Sequence, residues 1–221
     1  MNPNPTSRSH PGAFTLVELL VSIAVLVILM SLALPVLGRA VDRAESVTCV
    51  GNLRQWGLAT ALYASDAGDA LPWDGAPNGI STSRAWYADL PPLMGMRPYH
   101  EEGAWRTNAA APLGNPLWFC PSNPRRSNGH LLFHYCVNRG LNGQGDRTEP
   151  TRIGSVPEPS RTVWMFDNGG RAAAATRSNL HPSVHGDGAN VLFVDGSVRR
   201  IPHRPASGAG ASATGTLVWT P

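Results

Sequence analysis

A stretch of 20 uncharged residues, Leu19 to Gly38, constrains this chain more than any other feature of its sequence. As a helix it would span roughly 30 Å, which is about the thickness of the hydrocarbon core of a bilayer. A core helix of a soluble protein would carry polar residues at every third or fourth position, whereas only Ser22 and Ser31 interrupt this one. A cleaved secretory signal would be shorter and would end in a small-x-small site, which residues 34–37 do not offer. The sequence therefore predicts a retained transmembrane helix over residues 14–38.

The leader in front of the apolar segment predicts its orientation. Residues 1–13 carry Arg8 and no acidic residue, so the positive-inside rule keeps them in the cytoplasm. The chain from Arg39 onward then lies on the other side. We therefore expect a single-pass protein of the bacterial cytoplasmic membrane, in contact with its lipid, with a periplasmic C-terminal domain.

Glu18 stands at the start of the apolar segment, where a carboxylate is costly unless it is paired. The surrounding sequence GAFTLVELL, followed by an apolar helix that contains Pro35, resembles the class III signal of type IV prepilins and type II secretion pseudopilins. The resemblance implies that a prepilin peptidase cuts on the cytoplasmic side and that the new amino terminus is N-methylated. It also implies that Glu18 pairs with the amine of a neighbouring subunit in a filament.

Two cleavage positions fit this resemblance. A cut after Gly12 respects the glycine that the family has before the cut, but it makes Ala13 the first residue and Glu18 the sixth. A cut after Ala13 makes Phe14 the first residue and Glu18 the fifth, which is the register usual in the family. Both positions remain open from the sequence.

The residues that follow the apolar segment continue the helix. A helical face at spacings of three and four is formed by Cys49, Leu53, Trp56, Thr60 and Tyr63. The helix is expected to end near Asp66, because Gly68 is a plausible stop and Leu71-Pro72 cannot continue it. We expect one helix over Phe14–Asp66, and its extracytoplasmic continuation, residues 39–68, needs a partner for this face.

Residues 69–203 are predicted to form a β-rich globular domain, because Pro, Gly and Asn punctuate short apolar segments. The clearest strands are Thr162–Phe166, Asn190–Val194 and Ser197–Ile201. Between the last two, Asp195-Gly196 predicts a two-residue hairpin turn with positive φ.

The chain ends in a small, turn-rich segment. Residues 204–221 are predicted to be a mobile tail, with a terminal strand at Thr216–Thr220 as the alternative. The predicted fold class is α+β and pilin-like, with a long N-terminal helix, first transmembrane and then amphipathic, packed on a small antiparallel β-sheet domain.

Several segments resemble prepilin-like proteins whose C-terminal domain carries a histidine, nine intervening residues and then Asp-Gly. In this chain these residues are His185 and Asp195-Gly196, within HGDGANVLFVDGSV. The same resemblance covers CVGNLRQWGLATALYASDAGDALP (Cys49–Pro72), FCPSNP (Phe119–Pro124) and PSRTVWMFDN (Pro159–Asn168). It implies family membership over nearly the whole chain, but it assigns no mechanism to the histidine or to Asp-Gly.

Two interpretations of this motif remain open. His185, Asp187 and Asp195 are a common ligand set for a metal, and oxygens of Asp187, Asn190 and Asp195 would favour calcium, as in several pseudopilins. Alternatively, Asp195-Gly196 is simply a hairpin turn, and His185 hydrogen-bonds the backbone beside it. We expect the structural interpretation, because a hairpin brings together the residues that flank its turn, whereas His185 precedes the first strand.

The three cysteines also allow two interpretations. A disulfide is permitted outside the cytoplasm, and a bond between Cys120 and Cys136 would enclose 15 residues and contribute roughly 3 kcal/mol. Alternatively, all three are buried thiols, with Cys49 on the packed helix face. Because no spacing compels a pair, thiols are slightly favoured.

Charge excludes some classes of function. Charged residues make up 15% of the chain against roughly 25% in an average soluble protein, and the net charge is only +3. The arginines are scattered, and the doubled positions Arg125-Arg126 and Arg199-Arg200 are expected to be solvated rather than to contact DNA or anionic lipid. We therefore expect no nucleic-acid partner.

The sequence predicts a structural subunit rather than an enzyme. His185 with Ser183 could in principle form a base and a nucleophile, but no nucleophile elbow surrounds Ser183. The expected partners are the prepilin peptidase and other pilin or pseudopilin subunits, with no small-molecule substrate and no cofactor apart from the calcium considered above. The alternative is a membrane-anchored periplasmic module that binds a ligand or ion and does not polymerise.

Overall fold

The computed structural model describes residues 15–127, 129, 131–142, 149–181, 183–186, 188–202 and 217–220. The chain divides into two units, residues 1–41 and residues 42–221. Helix α1, Leu16–Asp66, contributes to both. The predicted helix is confirmed from Leu16 onward, and Phe14 lies outside the described residues.

A capping box begins helix α1. The Glu18 carboxylate oxygen Oε2 accepts hydrogen bonds from the backbone N–H of Thr15 at 2.8 Å and from its hydroxyl at 2.7 Å. In return, the Thr15 hydroxyl accepts from the backbone N–H of Glu18 at 3.3 Å. This reciprocal pair satisfies donors that the first turn of a helix leaves without partners. Glu18 therefore has a local structural role in addition to the one that the resemblance implies.

The first unit presents an apolar surface that the unit itself does not cover. Every large apolar side chain from Leu16 to Leu34 is exposed, and the helix continues through Pro35. This part of α1 is long and apolar enough to cross a membrane.

The part of α1 within the second unit packs along one face. Cys49, Leu53 and Trp56 are fully buried and Thr60 nearly so, which confirms the face predicted from the spacing. Beyond Asp66, Gly68 adopts a φ of 63°, the left-handed conformation common at helix ends. Burial of this face in the domain gives the outer part of the helix the partner that the sequence required.

The described residues of the second unit form one five-stranded sheet in the order β3-β1-β2-β4-β5. Its strands are β1 Tyr135–Asn138, β2 Val163–Asp167, β3 Ala174–Ala175, β4 Gly188–Phe193 and β5 Val198–Pro202. Three pairings are antiparallel, and β3 pairs with β1 in parallel, so the sheet is mixed rather than purely antiparallel. The α+β fold class is confirmed, and the three predicted strands lie within two residues of β2, β4 and β5.

The described residues between α1 and β1 form short helices instead of strands. Between α1 and β1 these are the one-turn helix α2, Trp86–Asp89, and 3₁₀ turns at Pro91–Met94, Tyr99–Glu101, Ala104–Arg106 and Pro116–Trp118. After β1, the chain forms the one-turn helix α3, Arg139–Asn142, and 3₁₀ turns at Ile153–Ser155 and Arg177–Asn179. Proline at the start of two of these turns suits helical φ and removes an N–H that would lack a partner.

Each face of the sheet has its own apolar core. The larger core contains residues of α1, α2 and the sheet, and the rings of Trp56 in α1 and Trp86 in α2 lie 5.2 Å apart in an edge-to-face arrangement. The smaller core, on the opposite face, includes Cys136 and Phe166, and the Trp219 ring packs 5.0 Å from Phe166.

The hairpin between β4 and β5 differs in detail from the predicted two-residue turn. The last strand pair is Leu192 with Val198, and Gly196 donates to the Phe193 carbonyl at 3.0 Å. Gly196 has a φ of 83°, whereas Asp195 is not among the residues with positive φ. The loop is therefore a longer turn with glycine alone in the left-handed region, because such a conformation is costly for a residue with a side chain. Asp195 Oδ1 instead accepts from the backbone and the hydroxyl of Ser197, at 2.9 and 2.6 Å.

The described end of the chain is held against the domain, in contrast to the predicted mobile tail. Val218 forms a single bridge with Thr162, and the Trp219 carbonyl accepts from the Asn138 side chain at 2.9 Å. Within the described residues 217–220, the alternative strand at Thr216–Thr220 is represented by this one bridge, and residues 203–216 lie outside the described part.

Two helix glycines provide a test of how closely α1 packs on the sheet. A Cβ added at Gly57 would lie 3.0 Å from Leu192 of β4, whereas one added at Gly51 meets nothing within 4 Å. We expect Gly57→Val to lower the free energy of unfolding by about 1–3 kcal/mol through overpacking. We expect Gly51→Val to change it little or to raise it slightly, because valine has the better helix propensity. Chemical unfolding of the full chain in detergent, followed by tryptophan fluorescence, checks both, and equal effects would contradict this packing.

Candidate functional site

A disulfide joins helix α1 to the loop after the fourth 3₁₀ turn. It links Cys49 and Cys120, while Cys136 keeps a buried thiol. The predicted Cys120–Cys136 bond is therefore wrong, and so is the slightly favoured alternative of three thiols. The reason is the sheet: Cys136 belongs to the core on one face, whereas Cys49 and Cys120 belong to the core on the other.

His185 packs against this disulfide. Its Nε2 atom lies 3.5 Å from Cys120 Sγ and 3.2 Å from Asp167 Oδ2. The side chains of His185 and Asp167 are each only 1% exposed, so the contact is sealed from solvent. Asp167 ends β2 and His185 precedes β4, and the two meet because these strands are neighbours in the sheet.

The backbone holds both members of this pair. His185 donates its N–H to the Gly188 carbonyl at 3.1 Å, and its own carbonyl accepts from the Arg200 guanidinium of β5. Asp167 Oδ2 also accepts from the backbone N–H of Asn190 at 2.6 Å. The loop before β4 and the end of β2 are therefore fixed relative to one another.

Several buried polar atoms around this pair have no hydrogen-bond partner among the described residues. They are Asp167 Oδ1, His185 Nδ1 and both polar atoms of the Asn190 side-chain amide. Buried polar atoms in native proteins are nearly always partnered, since leaving one unsatisfied costs about 1–3 kcal/mol. This group of atoms therefore distinguishes the pair from an ordinary core contact.

A second histidine, His134, binds the backbone of Cys120. The Cys120 backbone N–H donates to His134 Nδ1 at 3.1 Å, so Nε2 carries the proton and faces the Arg125 carbonyl at 3.2 Å. Burial, with a smaller contribution from the charges of Arg126 and Arg125, lowers the pKa of His134 to about 4, although its two hydrogen bonds to the backbone act in the opposite direction. His134 therefore stays neutral at physiological pH and keeps this hydrogen bond.

The structure does not bring the sequence-predicted motif together as one site. His185 and Asp195-Gly196 flank opposite ends of β4, a six-residue strand, which extends for roughly 20 Å. Asn190 is fully buried within that strand, about 10 Å of strand before the turn. Asn190 and Asp195 therefore cannot share a calcium ion, whose ligands lie about 2.3–2.6 Å from it. Asp187, the third predicted ligand, lies outside the described residues.

The two ends of the motif have separate structural surroundings. His185 contacts Asp167 and the disulfide, as described above. The Asp195 N–H donates to the Pro159 carbonyl at 3.2 Å, and the Val194 N–H donates to the Thr162 carbonyl at 3.0 Å. These bonds fix the turn to the start of β2. Ser183 is exposed, and its N–H donates to His181 at 3.3 Å, while His185 faces sulfur and carboxylate.

The doubled arginines make contacts within the domain. Arg125 donates to the Gly170 carbonyl at 2.6 Å, and Arg126 donates to the Arg125 carbonyl at 3.0 Å. The Arg199 guanidinium lies 3.9 Å from the centre of the Phe193 ring. Arg200, as noted, donates to His185.

Sequence reasoning missed three features of this region. Asp167 lies within PSRTVWMFDN, but no local pattern there predicts it as the partner of His185, and none predicts the role of His134. The third is the Thr15–Glu18 capping box, for which a signal was present: threonine followed three residues later by glutamate before an apolar helix is its known signature.

The N-terminal segment of this chain is similar to a known family of sequences. Residues 8–34 match the model of the prokaryotic N-terminal methylation motif. The N-terminus carries a prepilin-type signal. The match includes Gly12, Ala13, Phe14 and Glu18, of which the first three lie outside the described residues. Together with the exposed apolar helix, it identifies a single-pass membrane anchor and a precursor similar to type IV pilins and pseudopilins. The chain matches no curated protein and no solved structure at a significant level.

The disulfide makes a direct prediction about stability. Its two cysteines are separated by 71 positions, for which the loop-entropy relation gives about 4 kcal/mol. We expect Cys49→Ala to lower the free energy of unfolding by roughly this amount, and Cys136→Ala, the matched control, by about 1 kcal/mol.

The thiols themselves provide the second readout. The denatured, unreduced wild type should react with one equivalent of a thiol reagent, at Cys136. Reaction of all three cysteines in protein isolated without reductant would contradict the disulfide.

Proposed function

We propose that this protein is a pilin-like or pseudopilin structural subunit, which a prepilin peptidase cleaves and N-methylates. Its mature N-terminal helix assembles with those of other subunits into a type II secretion or type IV pilus-like filament. The observation that carries the proposal is the methylation motif at residues 8–34, which continues directly into a helix with an uncovered apolar surface.

Glu18 supplies the specific contact in this proposal. Its described hydrogen bonds use Oε2, and a carboxylate offers a second oxygen that can accept from an amine. When the helix enters an apolar environment, the capping box offsets part of the cost of burying this carboxylate. Pairing with the methylated amine of a neighbouring subunit offsets the rest.

The disulfide supports a location outside the cytoplasm for residues 42–221. Structural disulfides form and persist in oxidising compartments and are rare in the bacterial cytoplasm. The Cys49–Cys120 bond thus agrees with a cytoplasmic leader, a membrane-inserted α1 and a periplasmic domain.

We propose a structural rather than a catalytic role for the domain. The one histidine–carboxylate pair in the candidate site has side chains that are 1% exposed. Its Nε2 faces Asp167 and Cys120 at once, whereas a catalytic triad places the carboxylate on the nitrogen opposite the nucleophile. A substrate has no route to this nitrogen in the described arrangement.

Glu18→Gln tests the proposal most selectively, because a capping box accepts glutamine as well as glutamate. This variant keeps the start of the helix and removes only the charge, whereas Glu18→Ala removes both. We expect Glu18→Gln to be inserted in the membrane at normal levels but to fall at least about tenfold in the sheared filament fraction, since a charged pair contributes over 1.4 kcal/mol.

Glu45→Gln is the matched control, because Glu45 lies on the same helix beyond the apolar segment and is expected to leave incorporation unchanged. Quantitative immunoblotting of sheared filaments and membranes checks both variants. Wild-type levels of Glu18→Gln in the filaments would contradict the role of Glu18. Absence of the wild-type chain from every filament would contradict assembly itself and favour the non-polymerising module.

A further inference from the structure

Three potential metal ligands converge next to the disulfide. They are the sulfurs of Cys49 and Cys120 and a ring nitrogen of His185, and these atoms all lie within 4.8 Å of one another. All three residues are buried, and they come from helix α1, the loop after Trp118 and the loop before β4. The Asp167 carboxylate lies 3.2 Å from His185 Nε2 but outside this group of mutually close atoms, so it becomes a fourth ligand only if it moves towards the sulfurs.

The spacing of these atoms fits a tetrahedral zinc site. With zinc–sulfur bonds of about 2.3 Å and zinc–nitrogen bonds of about 2.05 Å, sulfur and nitrogen ligands are separated by about 3.6 Å. The observed distance between Cys120 Sγ and His185 Nε2 is 3.5 Å. A nitrogen and an oxygen ligand would be about 3.3 Å apart in the same geometry, and Nε2 and Asp167 Oδ2 are 3.2 Å apart. The edge between Cys120 and His185 is therefore already present, and Asp167 Oδ2 lies at a ligand's distance from the same nitrogen.

Buried polar atoms without a hydrogen-bond partner also lie on the residues of this cluster and next to it. Asp167 Oδ1 and His185 Nδ1 are buried without a hydrogen-bond partner among the described residues, and Asn190 contributes two more such atoms. A carboxylate sealed in the core is costly, and a bound cation compensates for that cost directly.

We propose that the dithiol form of this protein binds one zinc ion through Cys49, Cys120, His185 and Asp167, and that the metal and the disulfide are alternative occupants of the same site. Sulfur in the ligand set disfavours calcium and magnesium, and a mixed sulfur, nitrogen and oxygen set suits zinc. The site shares His185 with the metal set predicted from the sequence, and it shares no residue with the calcium set of Asp187, Asn190 and Asp195.

Conversion between the disulfide form and the zinc-bound form requires a transfer of electrons and protons. A dithiol reductant transfers two electrons and two protons to the Cys49–Cys120 bond and itself becomes a disulfide. Each resulting thiol releases its proton as its sulfur binds zinc, so binding of one ion releases two protons. In reverse, a protein disulfide of the oxidoreductase class takes two electrons from the thiolates, the sulfur–sulfur bond forms again and the ion leaves.

Little movement is needed between these forms. The Cα atoms of the two cysteines are 5.1 Å apart, and tetrahedral coordination requires the sulfurs to separate to about 3.8 Å, within reach of side-chain rotation. In either form Cys49 ties α1 to the loop that carries Cys120. Zinc would thus keep the helix docked under reducing conditions, in which the disulfide is lost.

The test uses the full chain in detergent micelles, reduced with a phosphine and kept free of oxygen. Cobalt(II) is titrated first as a visible probe, and zinc is then added in competition with a chromophoric chelator. We expect one equivalent of cobalt with the intense visible bands of tetrahedral thiolate coordination, displaced by one equivalent of zinc. The oxidised chain is expected to bind at least about 100-fold more weakly, because its sulfurs are no longer thiolates.

Matched variants assign the ligands. His185→Ala is expected to weaken zinc binding at least about 100-fold, since even loss of a residue that only orients a ligand costs about 10–100-fold. Cys136→Ala and His100→Ala remove a cysteine and a histidine outside the cluster and are expected to bind like the wild type.

Three results would overturn the proposal: a folded, reduced wild type that takes up no stoichiometric metal, equal binding by the oxidised chain, or unchanged binding by His185→Ala. If reduction alone unfolds the domain, zinc should restore its near-ultraviolet circular dichroism, and failure to do so would also overturn it. None of these outcomes depends on filament assembly.

Discussion

The uncovered apolar surface of the first part of α1 is the constraint on which the rest of the structure depends. Each square ångström of such surface left in water costs about 25 cal/mol, so the side chains from Leu16 to Leu34 must be covered by lipid or by other helices. Further along the same helix, the apolar side chains of Leu53 and Trp56 are instead buried by the domain of the second unit. One element therefore links a surface that requires an external environment to a folded core that provides its own.

The contact of α1 with its domain is reinforced at Cys49. The disulfide to Cys120 ties the helix to a loop that packs against His185, and His185 in turn contacts Asp167 at the end of β2. Helix, loop and sheet therefore meet at one buried cluster. His185, the histidine of the His-to-Asp-Gly motif, therefore lies next to the disulfide that holds the helix. Asp195-Gly196 forms a turn at the other end of β4.

Local patterns in the sequence predicted α1 and three of the five described strands, whereas the short helices and the long-range contacts were not predicted. The spacing from Cys49 to Tyr63 was enough to predict the packed face of α1, and alternating apolar segments located β2, β4 and β5, because these depend on periods of a few residues. The partner of Cys120 could not be predicted, since it depends on which face of the sheet each cysteine occupies. Asp167 meets His185 only because β2 and β4 are neighbours, and no local spacing encodes that order. The capping box was the exception, a local signal that sequence reasoning overlooked.

The central claim is that the chain is a processed prepilin-type subunit, and mass spectrometry of the N-terminal peptide from the native protein tests it most directly. The account predicts a first residue of Ala13 or Phe14, carrying one additional methyl group on its amine. The same spectrum distinguishes a cut after Gly12 from one after Ala13 and therefore fixes the register of Glu18 in the mature helix. A chain that still begins at Met1 would contradict the account.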